Sequence, residues 1–287
     1  MKSLIYISDG TYNTVESVIR NYFQISKTML KRLKHIDNAI LLNGKPSHSN
    51  IKINYGDCIC VNIQDSNLSN NEICFDILYE DEYIIAINKP AGIAVHSNPY
   101  SRNKTVENYF SNGEFHPINR LDKGTSGVML IAKDGRIHNL MQKIIHSNYF
   151  LKQYIAIADG IVFPKSCTII APIERRDSGI KRIISSNGKY AKTHYETILC
   201  ENNRTLLLVT PETGRTHQIR IHMSHIGFPL TGDVLYGNES PLIKRTALHA
   251  YSVEFEHPIS KSIIKVVAPI PDDIKSLIGN IDFLNDI

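Results

Sequence analysis

The sequence lacks tryptophan, any CxxC cysteine pair, any HExxH signature and any apolar run long enough to cross a bilayer. The missing tryptophan excludes nothing. The missing apolar run excludes a transmembrane helix, which needs about 20 consecutive apolar residues. The opening MKSLIYISDG has no long apolar region with a cleavage site, so a cytoplasmic location is expected. Cysteine is scarce and odd in number: Cys58, Cys60, Cys74, Cys167 and Cys200. A secreted disulfide framework usually has an even count in a shorter chain, so reduced, mostly buried thiols are expected. Neither sign of charge dominates. With 32 Lys and Arg against 28 Asp and Glu, the net charge of +4 permits an anionic partner such as nucleic acid without demanding one. Repeats and low-complexity tracts are also missing. What remains is a globular chain of 287 residues, 42% hydrophobic and 21% charged, long enough for one or two domains.

A compositional seam falls at QDSNLSNNE, residues 64–72, which is polar and without periodicity. It predicts a domain over 1–65, a linker over 66–72 and a second domain over 73–287. Before the seam, TVESVIRNYF (14–23) places Val15, Val18, Ile19 and Tyr22 or Phe23 on one helical face. SKTMLKRLKH follows, with Ser26 as the expected N-cap and Leu30 and Leu33 inward. Lys27, Lys31 and Lys34 line the other face, which spacing alone explains as a solvated surface. AILLNGKP and YGDCICVNI read as short strands with turns at Asn43-Gly44 and Gly56-Asp57.

Beyond the seam, FDILYED, YIIAINKP, VMLIAK, LKQYIAIADG, TLLLVT, LHAYSVEFEH and SIIKVVAP read as strands. GRIHNLMQKIIHS predicts a helix with Ile137, Leu140, Met141, Ile144 and Ile145 on one face, and PDDIKSLIG closes with another. Strands outnumber helices and do not alternate with them, so the fold class is α+β rather than doubly wound.

Three stretches carry candidate chemistry. In INRLDKGTSG (118–127), Asp122 sits two residues after Arg120 in a turn at the entrance of a strand. Taken alone, it reads as a turn residue. In PETGRTHQIRIHMSHIGFPLTGDVLYG (211–237), a helix is expected to begin at Thr216, with Ile219, Met223 and Ile226 buried. Arg215 and Arg220 would then be able to point toward a shared anion. His217, His222, His225 and His249 invite a metal reading, but the cluster has no acidic residue before Asp233, so packed or hydrogen-bonded histidines are expected and no metal. Asp233 reads as a turn residue. In LKQYIAIADG (151–160), Tyr154 alternates with Lys152 on one strand face, where it is either a core aromatic or a ring for a base to stack on.

In this order KPAGIAVH (89–96), NRLDKGTSG (119–127), LKQYIAIADG, GRTHQIRIH (214–222), GFPLTGDVLYG and LHAYSVEF resemble the RluA/RluD-type pseudouridine synthases over roughly residues 73–270. Residues 12–63 resemble the alpha-L RNA-binding module, whose second helix lies against RNA phosphates. The resemblance implies an α+β catalytic domain with a mixed, mostly antiparallel sheet. It also implies an isomerase that detaches uracil within an RNA chain, turns it and rejoins it through carbon 5, with no cofactor. Asp122 falls on the family's essential carboxylate, Arg220 on its partner, and Tyr154 on the tyrosine that stacks on the target base. Arg120 matches a residue that enters the RNA, and Lys27, Lys31, Lys34 and Arg215 would bind its backbone. The partner implied is ribosomal or transfer RNA, with a monomer as the default and no membrane. A non-catalytic RNA-binding protein and a histidine-based metallohydrolase are the competing classes. One residue departs from the family pattern: Asn119 stands where His is common before Arg-Leu-Asp.

Overall fold

The computed structural model describes residues 2–25, 27–63, 75–96, 105–110, 115–176 and 179–279. Ser26, Cys74 and the stretch expected as a linker lie outside them.

The N-terminal part is a four-stranded sheet backed by short helices. Its strands β1 (Lys2–Ile7), β2 (Ile40–Leu42), β3 (Lys45–Pro46) and β4 (Cys58–Ile63) lie in the order β1-β4-β2-β3. Alternation in β4 turns Ile59, Val61 and Ile63 inward and Cys58 and Cys60 outward. The expected helix over 14–23 is divided. A capping box between Thr14 and Ser17 starts α1 (Val15–Ser17), and a wider π-helical turn, Val18–Tyr22, completes it. Its buried stripe is Val15, Val18, Ile19 and Phe23, while Tyr22 stays exposed. Helix α2 (Lys27–Leu33) buries Met29, Leu30 and Leu33 and exposes Lys27 and Lys31. Lys34 follows the helix end and lies 3.6 Å from Glu16. This part has a hydrophobic core of its own.

The rest is built on one large sheet. Strands β5 (Asp76–Glu80), β6 (Ile84–Lys89), β7 (His116–Pro117) and β8 (Ser126–Ala132) form one half. Helices α3 (Val106–Tyr109) and α4 (Gly135–Ile145) fall within the same segment of chain. The long strand β9 (Phe150–Asp159) leads into β10 (Ser166–Ile170) and a side hairpin of β11 (Ile173–Arg175) and β12 (Arg182–Ile184). Strands β13 (Lys192–Glu201) and β14 (Arg204–Pro211), helix α5 (Gln218–His225), strands β15 (Leu248–Glu256) and β16 (Ile263–Val267) and helix α6 (Asp272–Lys275) complete it. The strand order is β10-β13-β14-β9-β15-β8-β6-β5, with β16 beside β15 and β7 beside β8. Every pairing in this sheet is antiparallel except β15 with β8, so the mixed, mostly antiparallel α+β expectation holds.

Burial on both faces explains the unbroken apolar run in β8. Val128, Leu130 and Ala132 pack beneath α4, while Met129 and Ile131 face the opposite cluster with Ile87, Val106 and Leu121. The α4 stripe is buried most fully at Ile137 and Met141, and Asp134 caps the helix through the Ile137 N–H at 2.8 Å. The parallel contact sets Gly127 directly beside Ala250. A Cβ at Gly127 would stand 2.1 Å from the Ala250 carbonyl oxygen at φ +109°, so only glycine fits there. The thiol expectation needs correction. Cys58, Cys60 and Cys167 are half-buried and Cys200 is exposed, because the strands that carry them have one face toward solvent.

Candidate active site

The register of the central strands assembles the site. Tyr154 on β9 is flanked by Val209 of β14 and Ala250 of β15, and Ala250 is flanked by Gly127 at the start of β8. The loop that carries Asp122 therefore ends two strands from Tyr154. The main chain of Asp122 closes a tight turn, its carbonyl accepting the Thr125 N–H at 3.1 Å. The side chain remains free to project into a cleft of about 570 Å³, whose lining includes Arg120, Asp122, Tyr154, Arg215, His217 and Arg220. Turn residue and candidate reactive group are thus the same residue, through different atoms.

Arg220 reaches the cleft from α5. Its Nη1 lies 3.5 Å from Asp122 Oδ2, at the outer limit of a hydrogen bond. Its Nε and Nη2 donate to Asp233 Oδ2 and Oδ1, each at 2.7 Å. The Asp233 side chain is fully buried, and its Oδ1 also accepts the Leu235 and Tyr236 N–H groups. Burial works against the Arg220 charge, but the bonds and charges of Asp233 and Asp122 outweigh it and raise the pKa. The guanidinium is thus a fixed cation, clamped at two nitrogens by Asp233 and offering the third to Asp122.

Among the described residues Arg215 pairs with neither carboxylate that Arg220 meets, Asp122 or Asp233, although both arginines line the cleft. It is exposed, and its Nε donates to the Tyr190 carbonyl at 2.9 Å. The reason is the helix start, which lies at Gln218, two residues later than the spacing suggests. His217 occupies the N-cap in the left-handed region, φ 58° and ψ 19°, so the chain turns sharply between the arginines. Gln218 pins the turn with all four of its hydrogen-bonding sites. Its Oε1 accepts from Thr213 Oγ1 at 2.6 Å and the Arg215 N–H at 3.0 Å. Its Nε2 donates to the Lys192 carbonyl and to Thr193 Oγ1, each at 2.9 Å. The buried stripe of α5 is Ile219, Ile221 and Met223, with Ile226 half-buried beyond its end.

Burial and the negative charge of Asp122 push the Tyr154 pKa up, so its phenol holds its proton at neutral pH. Arg120 is exposed at the cleft rim. Asn119 turns inward: its Oδ1 accepts the Leu130 N–H at 2.7 Å and its Nδ2 donates to the Val128 carbonyl at 3.3 Å. Its side chain therefore binds the β8 backbone and fastens the strand ahead of the turn.

Lys89 ends β6 fully buried, with Nζ donating to the Pro90 and Ile93 carbonyls, each at 2.9 Å. Between these residues, the Gly92 N–H donates to the Lys123 carbonyl at 2.7 Å, tying the segment to the Asp122 turn. Burial lowers the Lys89 pKa to about 7, with Asp122 opposing and Arg245 assisting. An ordinary lysine titrates near 10.5, so the unfolded chain keeps this proton to higher pH than the folded chain does. Below about pH 7 both forms hold it and the fold carries a buried charge. From about pH 7 to 10 only the unfolded chain holds it, so the free energy of unfolding rises with pH, by on the order of a few kcal/mol. Lys152, lowered to about 8 by burial, adds a rise of the same sign. In urea unfolding between pH 7 and 9, Lys89→Met should show a smaller rise than wild type. Equal slopes would contradict this account.

Three of the four histidines of the 217–249 segment, His217, His222 and His249, spend ring nitrogens on protein partners. His222 bonds Thr193 Oγ1 and the Ala171 carbonyl, and His249 bonds Ser126 Oγ, each at 2.9 Å. Among the described residues no cluster of three His, Cys, Asp or Glu is placed to hold a metal ion. No helix among them is long and apolar enough to span a membrane.

A carboxylate presented by a tight turn, an arginine clamp and a tyrosine ring share one cleft at the centre of a mixed sheet. Residues 83–225 match the RNA pseudouridylate synthase family. The chain is 37% identical over 282 residues to the uncharacterized RNA pseudouridine synthase YhcT of Bacillus subtilis (strain 168), covering 89% of this chain and 91% of that protein. It is 35% identical over 231 residues to the ribosomal large subunit pseudouridine synthase D of Xylella fastidiosa (strain Temecula1 / ATCC 700964), covering 72% and 70%. Among solved structures, the human RNA pseudouridylate synthase domain containing 1 shares the fold with a TM-score of 0.59 at 23% identity, covering 74% of this chain and 94% of that one. The chain belongs to the RNA pseudouridine synthase family, RluA/RluD type. It is an isomerase that acts on RNA.

In the sequence His217 and Asp233 read as packing and turn residues, and Lys89 does not stand out. A lysine closing the apolar strand YIIAINK is a readable signal for Lys89. The roles of His217 and Asp233 depend on partners that only the fold brings near.

Proposed function

We propose that this enzyme isomerises specific uridines in structured RNA, foremost large-subunit ribosomal RNA, with Asp122 as the reacting carboxylate. The observation that carries this reading is the convergence of Asp122, Arg220 and Tyr154 in one cleft, with Arg220 Nη1 3.5 Å from Asp122 Oδ2. The reaction breaks the bond between C1′ and N1 and forms one between C1′ and C5, with the C5 proton lost and N1 taking up a proton, so it requires no net redox change. A carboxylate serves it either by attack at the anomeric carbon or as a base on the sugar. Tyr154 offers the flipped base a ring to stack on and, keeping its own proton, a hydroxyl near C5. Arg120, exposed at the rim, offsets part of the few kcal/mol that unstacking a uridine costs. Arg215 offers a second exposed cation in the lining of the cleft. The ribosomal substrate is supported by the name of the Xylella fastidiosa relative, with transfer RNA the alternative.

Residues 1–65 act as an alpha-L RNA-binding module, joined through 66–72 to a catalytic domain over 73–287. The separate N-terminal core and the exposed Lys27 and Lys31 support this reading. The enzyme works as a cytoplasmic monomer without cofactor. Replacing Lys27, Lys31 and Lys34 together by Ala should weaken RNA binding and flatten its salt dependence by about one slope unit for each phosphate left without its lysine. Lys34, already close to Glu16, should contribute least. Filter binding at several salt concentrations measures both quantities, and unchanged slopes would leave the lysines as a solvated surface.

The substrate is identified by incubating the enzyme with RNA from cells lacking its gene and mapping the new pseudouridines. New sites in large-subunit ribosomal RNA are expected. New sites confined to transfer RNA would move the assignment, and none in any RNA would refute the reading.

A further inference from the structure

Among the described residues, two groups approach the Asp122 carboxylate at the same oxygen, Oδ2: Arg220 Nη1 at 3.5 Å and His217 Nε2 at 3.9 Å. The second approach depends on which nitrogen of His217 carries the proton, and Tyr236 and Asp122 face the two nitrogens. The Tyr236 hydroxyl accepts the Arg182 backbone N–H at 2.8 Å and keeps its own hydrogen available to donate. His217 Nδ1 lies 3.0 Å away. A hydroxyl that donates to Nδ1 requires a lone pair there, which puts the ring proton on Nε2, facing the carboxylate. The opposite tautomer would set a lone pair at Nε2 against the negative Asp122 oxygen.

The charged form is disfavoured as well. Burial lowers the His217 pKa first. Asp122 and Asp233 pull it up, while Arg220 from α5 and Arg182 from β12 push it down, and the net direction is down. Tyr236 is itself held from several sides. The Arg220 guanidinium lies 5.2 Å and the Lys181 ammonium 5.7 Å from its ring centroid, and its N–H donates to Asp233 Oδ1. His217 keeps its ring beside that of Tyr236 by adopting the left-handed backbone, a conformation a non-glycine residue retains where its side chain must be aimed.

We infer that His217 is a positioning residue for Asp122: a neutral imidazole, locked by the Tyr236 hydroxyl as the Nε2–H tautomer, which joins Arg220 in fixing Oδ2 and leaves Oδ1 as the oxygen that reacts. This rests on the reading of Asp122 as the reacting carboxylate. The tautomer itself is measured without any activity.

Long-range 1H–15N correlation spectra of the wild-type enzyme, labelled at histidine, read the tautomer at pH 7. Substitution of His217 identifies its signals. A protonated Nε2 with a bare Nδ1 is expected in wild type, giving way in Tyr236→Phe to a mixture of tautomers. In activity assays His217→Gln, whose amide N–H reaches about as far as Nε2–H, should keep most of the wild-type kcat. His217→Phe should lose roughly ten- to hundredfold in kcat with its RNA Kd little changed. A protonated Nδ1 or an imidazolium in wild type at pH 7 would overturn the inference, as would wild-type kcat in a folded His217→Phe enzyme. If the tautomer is as expected but Asp122→Asn stays active, the reading of Asp122 fails and the tautomer stands.

Discussion

Asp122→Asn should lose pseudouridine formation by roughly 10³-fold or more, the scale on which removal of an essential base or nucleophile acts. The substitution is nearly isosteric, and the main-chain turn that Asp122 closes with Thr125 does not involve its side chain. The fold and the RNA surface should therefore persist. Arg220 keeps its bidentate hold on Asp233, so removing the Asp122 charge does not leave the guanidinium unpaired. The expected enzyme is folded, binds RNA with a Kd close to that of wild type, and is inert. Loss of binding in parallel with activity would instead make Asp122 a residue of RNA binding or of the fold.

The second large effect is expected at Asp233. Asp233→Asn removes the charge that offsets a mostly buried guanidinium and puts an amide donor where Arg220 needs acceptors. Breaking a buried pair on one side costs about 3–5 kcal/mol, and urea unfolding should show a loss near that size. Arg220 would also lose its fixed direction toward Asp122. Turnover at saturating RNA should accordingly fall at least tenfold in the fraction that remains folded, as misplacement near a reacting group does. A variant with wild-type stability and turnover would show that Asp233 is only the turn residue that GDVLYG suggests.

The strands of the large sheet are readable in the sequence because apolar runs and alternation are local signals. VMLIA and LHAYSVEF declare themselves, and α4 does so through its stripe at Ile137 and Met141. The parallel pairing of β8 with β15 is not readable. It joins Gly127 to Ala250 across more than a hundred residues, and it leaves a trace in the identity of Gly127, where a Cβ would meet the Ala250 carbonyl. At the site, motif order points to Asp122, Tyr154 and Arg220, which the fold brings into one cleft. The start of α5 is misread because helical periodicity ignores a left-handed residue, and because the bonds of Gln218 to Thr213 and Lys192 come from other segments. Asn119 stands in the sequence only as a departure from the family's usual His. In the fold it satisfies the Leu130 N–H and the Val128 carbonyl, which an Asn side chain, with one acceptor and one donor group, suits well.

The role proposed for the Asp122 carboxylate is to carry out the isomerisation. The most direct test is the single-turnover rate at the mapped uridine, with enzyme in excess over RNA, for wild type and Asp122→Asn. Under these conditions neither product release nor weak binding hides the chemical step. A rate reduced roughly 10³-fold or more with RNA still bound is the predicted result. A folded Asp122→Asn enzyme that converts the uridine at a rate within about tenfold of wild type would contradict it.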